Sequence, residues 1–262
     1  MSDRPLALPA TVRPGNLGGA VSALIFVAVV AGLWKLVVAA FALPPFILPP
    51  PEAAFAAVGE NAGAIAGAVL FTLRNAAAGL LAAFVTAMAL AVLFVSSRLA
   101  TRAVLPIVIG LRTAPVLAIA PILIMVCGRG IGTAIAVVVI VAFFPIMVNA
   151  MRGFAATPKG ALELMHVLGA GPATTFIKVR LPFSVPFIFA GLRSAATSAM
   201  LSAMLAEWLS GAPGLGTFIL DAASYQKAAL LWGGVVVSMI VAFAIFTVTT
   251  ALERRLTAWR TR

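Results

Sequence analysis

The chain has 262 residues, 63% of them hydrophobic and 10% charged, with a formal charge of +11. A soluble domain carries about 25% charged residues, so too few polar groups remain here to cover a water-exposed surface. The positive charges fall between apolar runs and form no basic patch with interleaved aromatics, which excludes a nucleic-acid partner, while a single cysteine (Cys127) and a single histidine (His166) exclude disulfide frameworks and most His-based catalytic or metal sites.

Segment 1–19 holds Asp3, Arg4, Arg13 and three prolines. It reads as a polar cytoplasmic tail before a retained first span, because the apolar run after it is longer than a signal-peptide core. Six spans follow at about 20–43, 67–95, 103–127, 131–150, 184–209 and 230–252. Each is close to or above the ~20 residues a helix needs to cross the hydrocarbon core. Together they form a transmembrane domain over 20–252, and segment 253–262 closes the chain as a second cytoplasmic tail. The expected fold is all-α, with a lipid bilayer as solvent.

Orientation follows from Lys and Arg. With the amino terminus inside, the inner segments hold Arg4, Arg13, Arg98, Arg102, Arg152, Lys159, Lys178, Arg180, Arg254, Arg255, Arg260 and Arg262, twelve in all, against Arg129 and Lys227 outside. That asymmetry places both termini in the cytoplasm. The outer segment 44–63 has five prolines, Glu52 and Glu60 and no base, and is expected to be a stiff, partly extended crossing. The outer segment 210–229 opens with Gly211, Pro213, Gly214 and Gly216, and an amphipathic stretch around 218–225 within it is expected at the outer interface.

The longest inner segment, 152–183, is more than a linker. Thr157 before Pro158 reads as an N-cap followed by proline at the first helical position. A short helix over 158–168 would place Ala161, Leu164, Met165 and Leu168 on one face. Gly169 then stops it by taking positive φ. A second short helix is expected over 172–180, ended by Leu181-Pro182, with Pro186 in the first turn of the fifth span. An apolar hairpin flanked by bases calls for a docking surface, and periodicity alone leaves open whether that is the bilayer or a protein groove.

The residue pattern favours the groove. Glu163-Leu-Met-His-Val-Leu-Gly169, nine residues, then Val179-Arg-Leu181-Pro182 resembles the E-A-A-three-G-nine-I-x-L-P loop of binding-protein-dependent ABC importer permeases. Glu163, Gly169, Leu181 and Pro182 stand at the matching positions and Val179 replaces isoleucine. Leu164 and Met165 depart from the two alanines. Further stretches resemble the nitrate/sulfonate/taurine branch: Leu48-Pro-Pro-Pro51, Pro115-Val-Leu-Ala-Ile-Ala-Pro121 with Gly128-Arg-Gly130, Phe143-Phe-Pro145-Ile-Met-Val-Asn149 with Gly153, and Ala206-Glu207 with Gly214-Leu-Gly216. The resemblance covers about 64–252.

It implies a type I importer permease in the cell inner membrane. A homodimer of this chain would work with two ATPase subunits and an external solute-binding protein. No GxxxxGK[ST] phosphate loop occurs, so ATP and Mg are expected on the partner ATPase, with no cofactor in this chain and no enzymatic activity of its own. Glu163, Leu164, Met165, Leu168, Gly169, Val179, Leu181 and Pro182 would form the ATPase-coupling surface. Prolines 182 and 186 would start the fifth span sharply, so that it tilts as a lever.

Polar groups inside spans are costly and are therefore pathway candidates. These are Arg112, Thr113, Asn149, Thr197, Ser198, Ser202 and Glu207. Arg112 either attracts an anion or snorkels to the inner interface. Hydroxyls in spans commonly bond their own backbone. Glu207 stands near the outer end, as a gate residue, a bridge to the binding protein or an interfacial acid. Lys35 has no explanation at this level. The expected cargo is a small anion such as a sulfonate, taurine or nitrate, with a thiamine precursor or flavin-type vitamin as the alternative. An ion-coupled secondary transporter is the more distant reading, and it would need carboxylates near the midplane.

Overall fold

A computed structural model describes residues 16–113 and 115–256. Among these every regular element is helical. In chain order they are α1 (Asn16–Ala40), α2 (Pro51–Glu60), α3 (Ala62–Ser96), α4 (Arg98–Thr113), α5 (Val116–Cys127), α6 (Ile131–Ala155), α7 (Lys159–Val167), α8 (Pro172–Thr175), a π-helical stretch (Phe176–Arg180), α9 (Leu181–Ser210), α10 (Leu215–Ser224) and α11 (Ala228–Leu256). The tails expected over 1–19 and 253–262 lie largely outside the described residues.

Four helical stretches are long and apolar enough to cross a membrane: Ala62–Ser96, Ile131–Ala155, Pro172–Ser210 and Ala228–Glu253. Shorter apolar helices occupy Ala28–Ala40, Leu99–Gly110, Ala118–Cys127 and Leu215–Ser224. The run expected as one span over 103–127 is two helices, because Pro115 is extended (φ −62°, ψ 121°) and restarts the chain as the N-cap of α5. Proline supplies no backbone N–H, and its ring disfavours the helical conformation in the residue before it. Segment 44–63 is likewise more helical than expected. Pro51 stands in the first turn of α2, where a missing N–H costs nothing.

The core is a three-helix bundle of α3, α6 and α9, with α6 and α9 the most extensive pair. Its interior is built from small residues: Ala83, Ala87 and Ala91 on α3, Ala142 and Ala150 on α6, and Ala195 on α9, with Ile146, Met147 and Phe154 filling between them. Lipid tails offer no hydrophobic drive for helix association, so close backbone approach matters more than bulk. At Gly191 a Cβ would lie 2.9 Å from both the Asn149 Cβ and the Pro145 carbonyl oxygen. At Gly153 it would lie 2.8 Å from the Ser184 Cβ. These two glycines set how closely α6 and α9 cross.

The outer layer is different. On α11, Met239, Ile240, Phe243 and Val248 are exposed, as are Ile25, Val29, Leu33 and Leu36 on α1. Such apolar surface suits contact with lipid tails or another membrane helix. Helix α1 is tied to the rest at one end. The Trp34 indole donates to the Pro49 carbonyl at 3.0 Å and its ring lies 5.7 Å from that of Trp232. Lys35 pairs with Glu52, which accounts for a lysine within an apolar helix. The bond from Lys35 holds the Glu52 carboxyl below the usual carboxylate range.

Candidate coupling site

The 152–183 segment leaves the bundle where α6 ends. Phe154, buried in the last turn of α6, meets the Phe176 ring at 5.1 Å and 56°. This contact ties the returning arm of the hairpin to the end of α6. Thr157 does not cap α7 as expected. Its hydroxyl turns back to the Phe154 carbonyl at 3.2 Å, and the extended Pro158 takes the N-cap position without a side-chain cap. Thr157 therefore finishes α6, and Pro158 alone redirects the chain into α7.

The end of α7 forms a complete C-cap. Gly169 has φ +67°. Its N–H donates to the His166 carbonyl at 3.0 Å, and the Ala170 N–H donates to the Met165 carbonyl at 2.9 Å. Paired bonds of this kind with glycine in the left-handed region satisfy carbonyls that a helix end would leave open. A Cβ at Gly169 would meet nothing within 4 Å, so the constraint at this position is backbone conformation and not crowding.

The faces of α7 are now distinguishable. Leu164, Val167 and Leu168 are 59, 82 and 69% exposed, and their spacing places them on one outward stripe. Ala161 and Met165, expected on the same face, are half-buried. Leu162 and His166 line a cleft of about 730 Å³ between the hairpin and the end of α3, with Val92, Val95, Phe176 and Arg180. Glu163 is exposed and makes no ion pair among the described residues. Val167 escaped the sequence reading because the family-like pattern does not mark it.

The returning arm differs from expectation. Leu181-Pro182 does not end a helix. Helicity is continuous from Pro172 to Ser210, 39 residues. The π-helical stretch makes this possible: the Leu181 N–H donates to the Phe176 carbonyl five residues back. The extra residue shifts the bonding register ahead of Pro182, which sits in the first turn of α9 with its missing N–H. Val179 and Leu181 are half-buried and Pro182 is exposed.

The pathway candidates are spread over α4, α6 and α9. The side chains of Arg112 and Thr113, at the end of α4, lie outside the described residues. Asn149 donates to the Pro145 carbonyl at 2.8 Å. Thr197, Ser198 and Ser202 donate to the carbonyls of Arg193, Ser194 and Ala199, so each hydroxyl bonds within its own helix. Arg193 pairs with Glu253 of α11 at 2.8 Å.

Glu207 is buried and does not lie open at an interface. It is 0% exposed, at the end of α9 opposite the hairpin. The Thr72 hydroxyl donates to its Oε2 at 2.8 Å, the Gly216 N–H to the same oxygen at 3.1 Å, and the Asn75 amide to its Oε1 at 3.0 Å. Thr72 also accepts from the Leu215 N–H at 2.8 Å. Thr72 and Asn75 were not singled out from sequence. Two polar residues three apart in an apolar helix was the available signal.

A bundle of apolar, membrane-length helices with an exposed, glycine-capped hairpin on its inter-helix loop is the architecture of a polytopic membrane protein. The chain belongs to the binding-protein-dependent transport system inner membrane component family, whose model matches residues 77–259. It is 28% identical to a probable ABC transporter permease protein of Haemophilus influenzae over 85% of this chain and 91% of that one. It is 30% identical to the formylaminopyrimidine transport permease of Halalkalibacterium halodurans over 72% of this chain and 76% of that one. Nitrate import permease of Leptolyngbya laminosa is 37% identical over 58% of this chain and 54% of its own length, and the putative aliphatic sulfonates permease of Bacillus subtilis is 26% identical over 95% and 91%. The fold is similar to a chain of the MetNI methionine ABC transporter in inward-facing form, with a TM-score of 0.67 and 20% identity over 76% of this chain and 98% of that one. The protein is thus a permease subunit of an ABC importer, an integral membrane transport component and not an enzyme.

Proposed function

We propose that this chain forms half of a homodimeric translocation pathway, receives its solute from an external binding protein, and is opened and closed by two cytosolic ATPase subunits that hold ATP and Mg. The observation that carries this reading is the outward stripe of Leu164, Val167 and Leu168 beside the Gly169 cap. An apolar stripe of this size at the end of a membrane bundle fits a groove on a moving partner. Glu163, exposed beside it, is placed to pair with a base there. Leu181 and Pro182 begin the long helix through which the motion passes, and Met165 and Val179 brace the hairpin from within. Both termini, on this reading, face the cytoplasm with the hairpin. Co-purification tests the docking. The wild-type chain should retain the ATPase in detergent, and Leu164→Ser with Leu168→Ser should release it; full retention by the double variant would overturn the assignment.

For the cargo, a small anion such as a sulfonate, taurine or nitrate is the first reading, supported by relatives named for nitrate and for aliphatic sulfonates. Arg112 would then draw the anion along the pathway, with Thr113 and Asn149 as further candidate contacts. A thiamine-precursor or flavin cargo is the second reading, supported by relatives named for formylaminopyrimidine and riboflavin transport. Thermal shift of the cognate binding protein with taurine, nitrate, a formylaminopyrimidine and riboflavin separates the two. A shift with either vitamin-type compound alone would end the anion reading.

A further inference from the structure

Glu207 is a fully buried acid that the coupling hairpin does not use. Around it the chain has made room deliberately. A Cβ at Gly214 would overlap the Glu207 carboxylate, and one at Gly216 would overlap the Met204 carbonyl. With glycine at both positions, the first turn of α10 closes onto α9, and the Gly216 N–H reaches the carboxylate. Thr72 of α3 bridges the two, donating to Glu207 and accepting from Leu215. The Thr217 hydroxyl lies between the Ala212 and Glu207 carbonyls, the second at 3.1 Å, and shares its one proton at this corner. Three helices, α3, α9 and α10, therefore meet on one side chain.

That side chain ends the same continuous helix that begins at the hairpin. The 39 residues of Pro172–Ser210 span roughly 58 Å at 1.5 Å per residue. We infer that Glu207 is a positioning residue, which clasps α10 and α3 to the far end of this helix so that a displacement at the hairpin reaches the opposite face of the membrane. The inference rests on the permease reading above.

The bonding pattern also says how the clasp works. Both Thr72 and Gly216 donate to Oε2, whereas Asn75 alone donates to Oε1. The Asn75 Oδ1 is buried without a hydrogen-bond partner. A glutamine at 207 can place its carbonyl oxygen at the Oε2 position and keep both of those bonds. Its NH2 then faces Asn75, whose amide can flip to offer the idle Oδ1 as acceptor. The clasp depends on shape and hydrogen bonding, and negative charge is dispensable. A residue that moved protons or bound a cation would behave in the opposite way.

The experiment uses the full complex with its ATPase, in a Cys127→Ser background, with nitroxide labels on cysteines replacing Ser194 in α9 and Ser224 in α10, both exposed. Distances are read by pulsed electron resonance without nucleotide and with ATP plus vanadate. In the otherwise wild-type chain and in Glu207→Gln the distance distribution stays narrow in both states. In Glu207→Ala it broadens. Thr72→Val, which keeps the shape and removes two bonds, gives intermediate broadening and guards against an alanine variant that fails to fold. Narrow distributions in both Glu207→Ala and Thr72→Val overturn the clasp, and so does broadening in Glu207→Gln equal to that in Glu207→Ala. Failure of the permease reading looks different: the wild-type chain would not retain the ATPase at all.

Discussion

At Gly169 the backbone takes φ +67°, where any residue with a Cβ is strained by about 1–2 kcal/mol. The open space around it means that Gly169→Ala costs little beyond that strain. A modest loss of the α7 cap is therefore expected, read as faster amide exchange at Gly169 and Ala170 with the bundle unchanged. Glu52 offers a pH test. Its carboxyl is held below its usual range by Lys35, so the tie is fully present above the ordinary carboxylate pKa and is lost as pH falls through the depressed one. Acidification through that window should change the fluorescence of the Trp34–Trp232 pair, and Glu52→Gln should produce the same change already at neutral pH. An unaltered signal in Glu52→Gln would show that the pair does not hold α1. Single residues were unevenly legible in the sequence. Gly169 was readable because a helix stop has a local cause. The partners of Glu207 were not, because Thr72 and Glu207 are 135 residues apart and only the packed bundle brings them together.

Among the elements, the α6–α9 crossing governs the shape of the core. Gly191→Val would drive a side chain into the Asn149 Cβ and the Pro145 carbonyl, and overpacking of this kind costs about 1–3 kcal/mol. A lower melting temperature in detergent is the expected result, with Gly63→Val, which meets nothing within 4 Å, as the neutral comparison. The long apolar helices were legible because membrane length and hydropathy are properties of each segment alone. Three local features were not. The break at Pro115, the helix over 51–60 and the unbroken passage through Pro182 all turn on proline, whose effect depends on whether its missing N–H falls in a first turn, after a π-helical register shift, or mid-helix. Sequence shows the proline and not the register. On the proposed function one consequence is mechanical: with no break at Pro182, motion of the hairpin would pass directly into α9, with no sharp bend needed to start the lever.

On the scale of the whole molecule, the fold separates two jobs. The interior of α3, α6 and α9 is small-residue packing that keeps a rigid body, and the hairpin at one end presents apolar surface that this body cannot cover. The class of molecule was legible from composition and the spacing of Glu163, Gly169, Leu181 and Pro182, whereas the solute route was not, since Thr197, Ser198 and Ser202 bond within their own helix and mark no pathway by themselves. The central claim is that ATP is used elsewhere and its effect enters through the hairpin. The most direct measurement is paired ATP hydrolysis and uptake in proteoliposomes holding this chain, its ATPase and its binding protein, with the solute chosen by thermal shift. The comparison is between the wild-type chain and Gly169→Asp. The account predicts that the variant inserts and hydrolysis continues, while uptake falls by about tenfold or more, within the usual span of a coupling free energy. Uptake at the wild-type level in Gly169→Asp would contradict it.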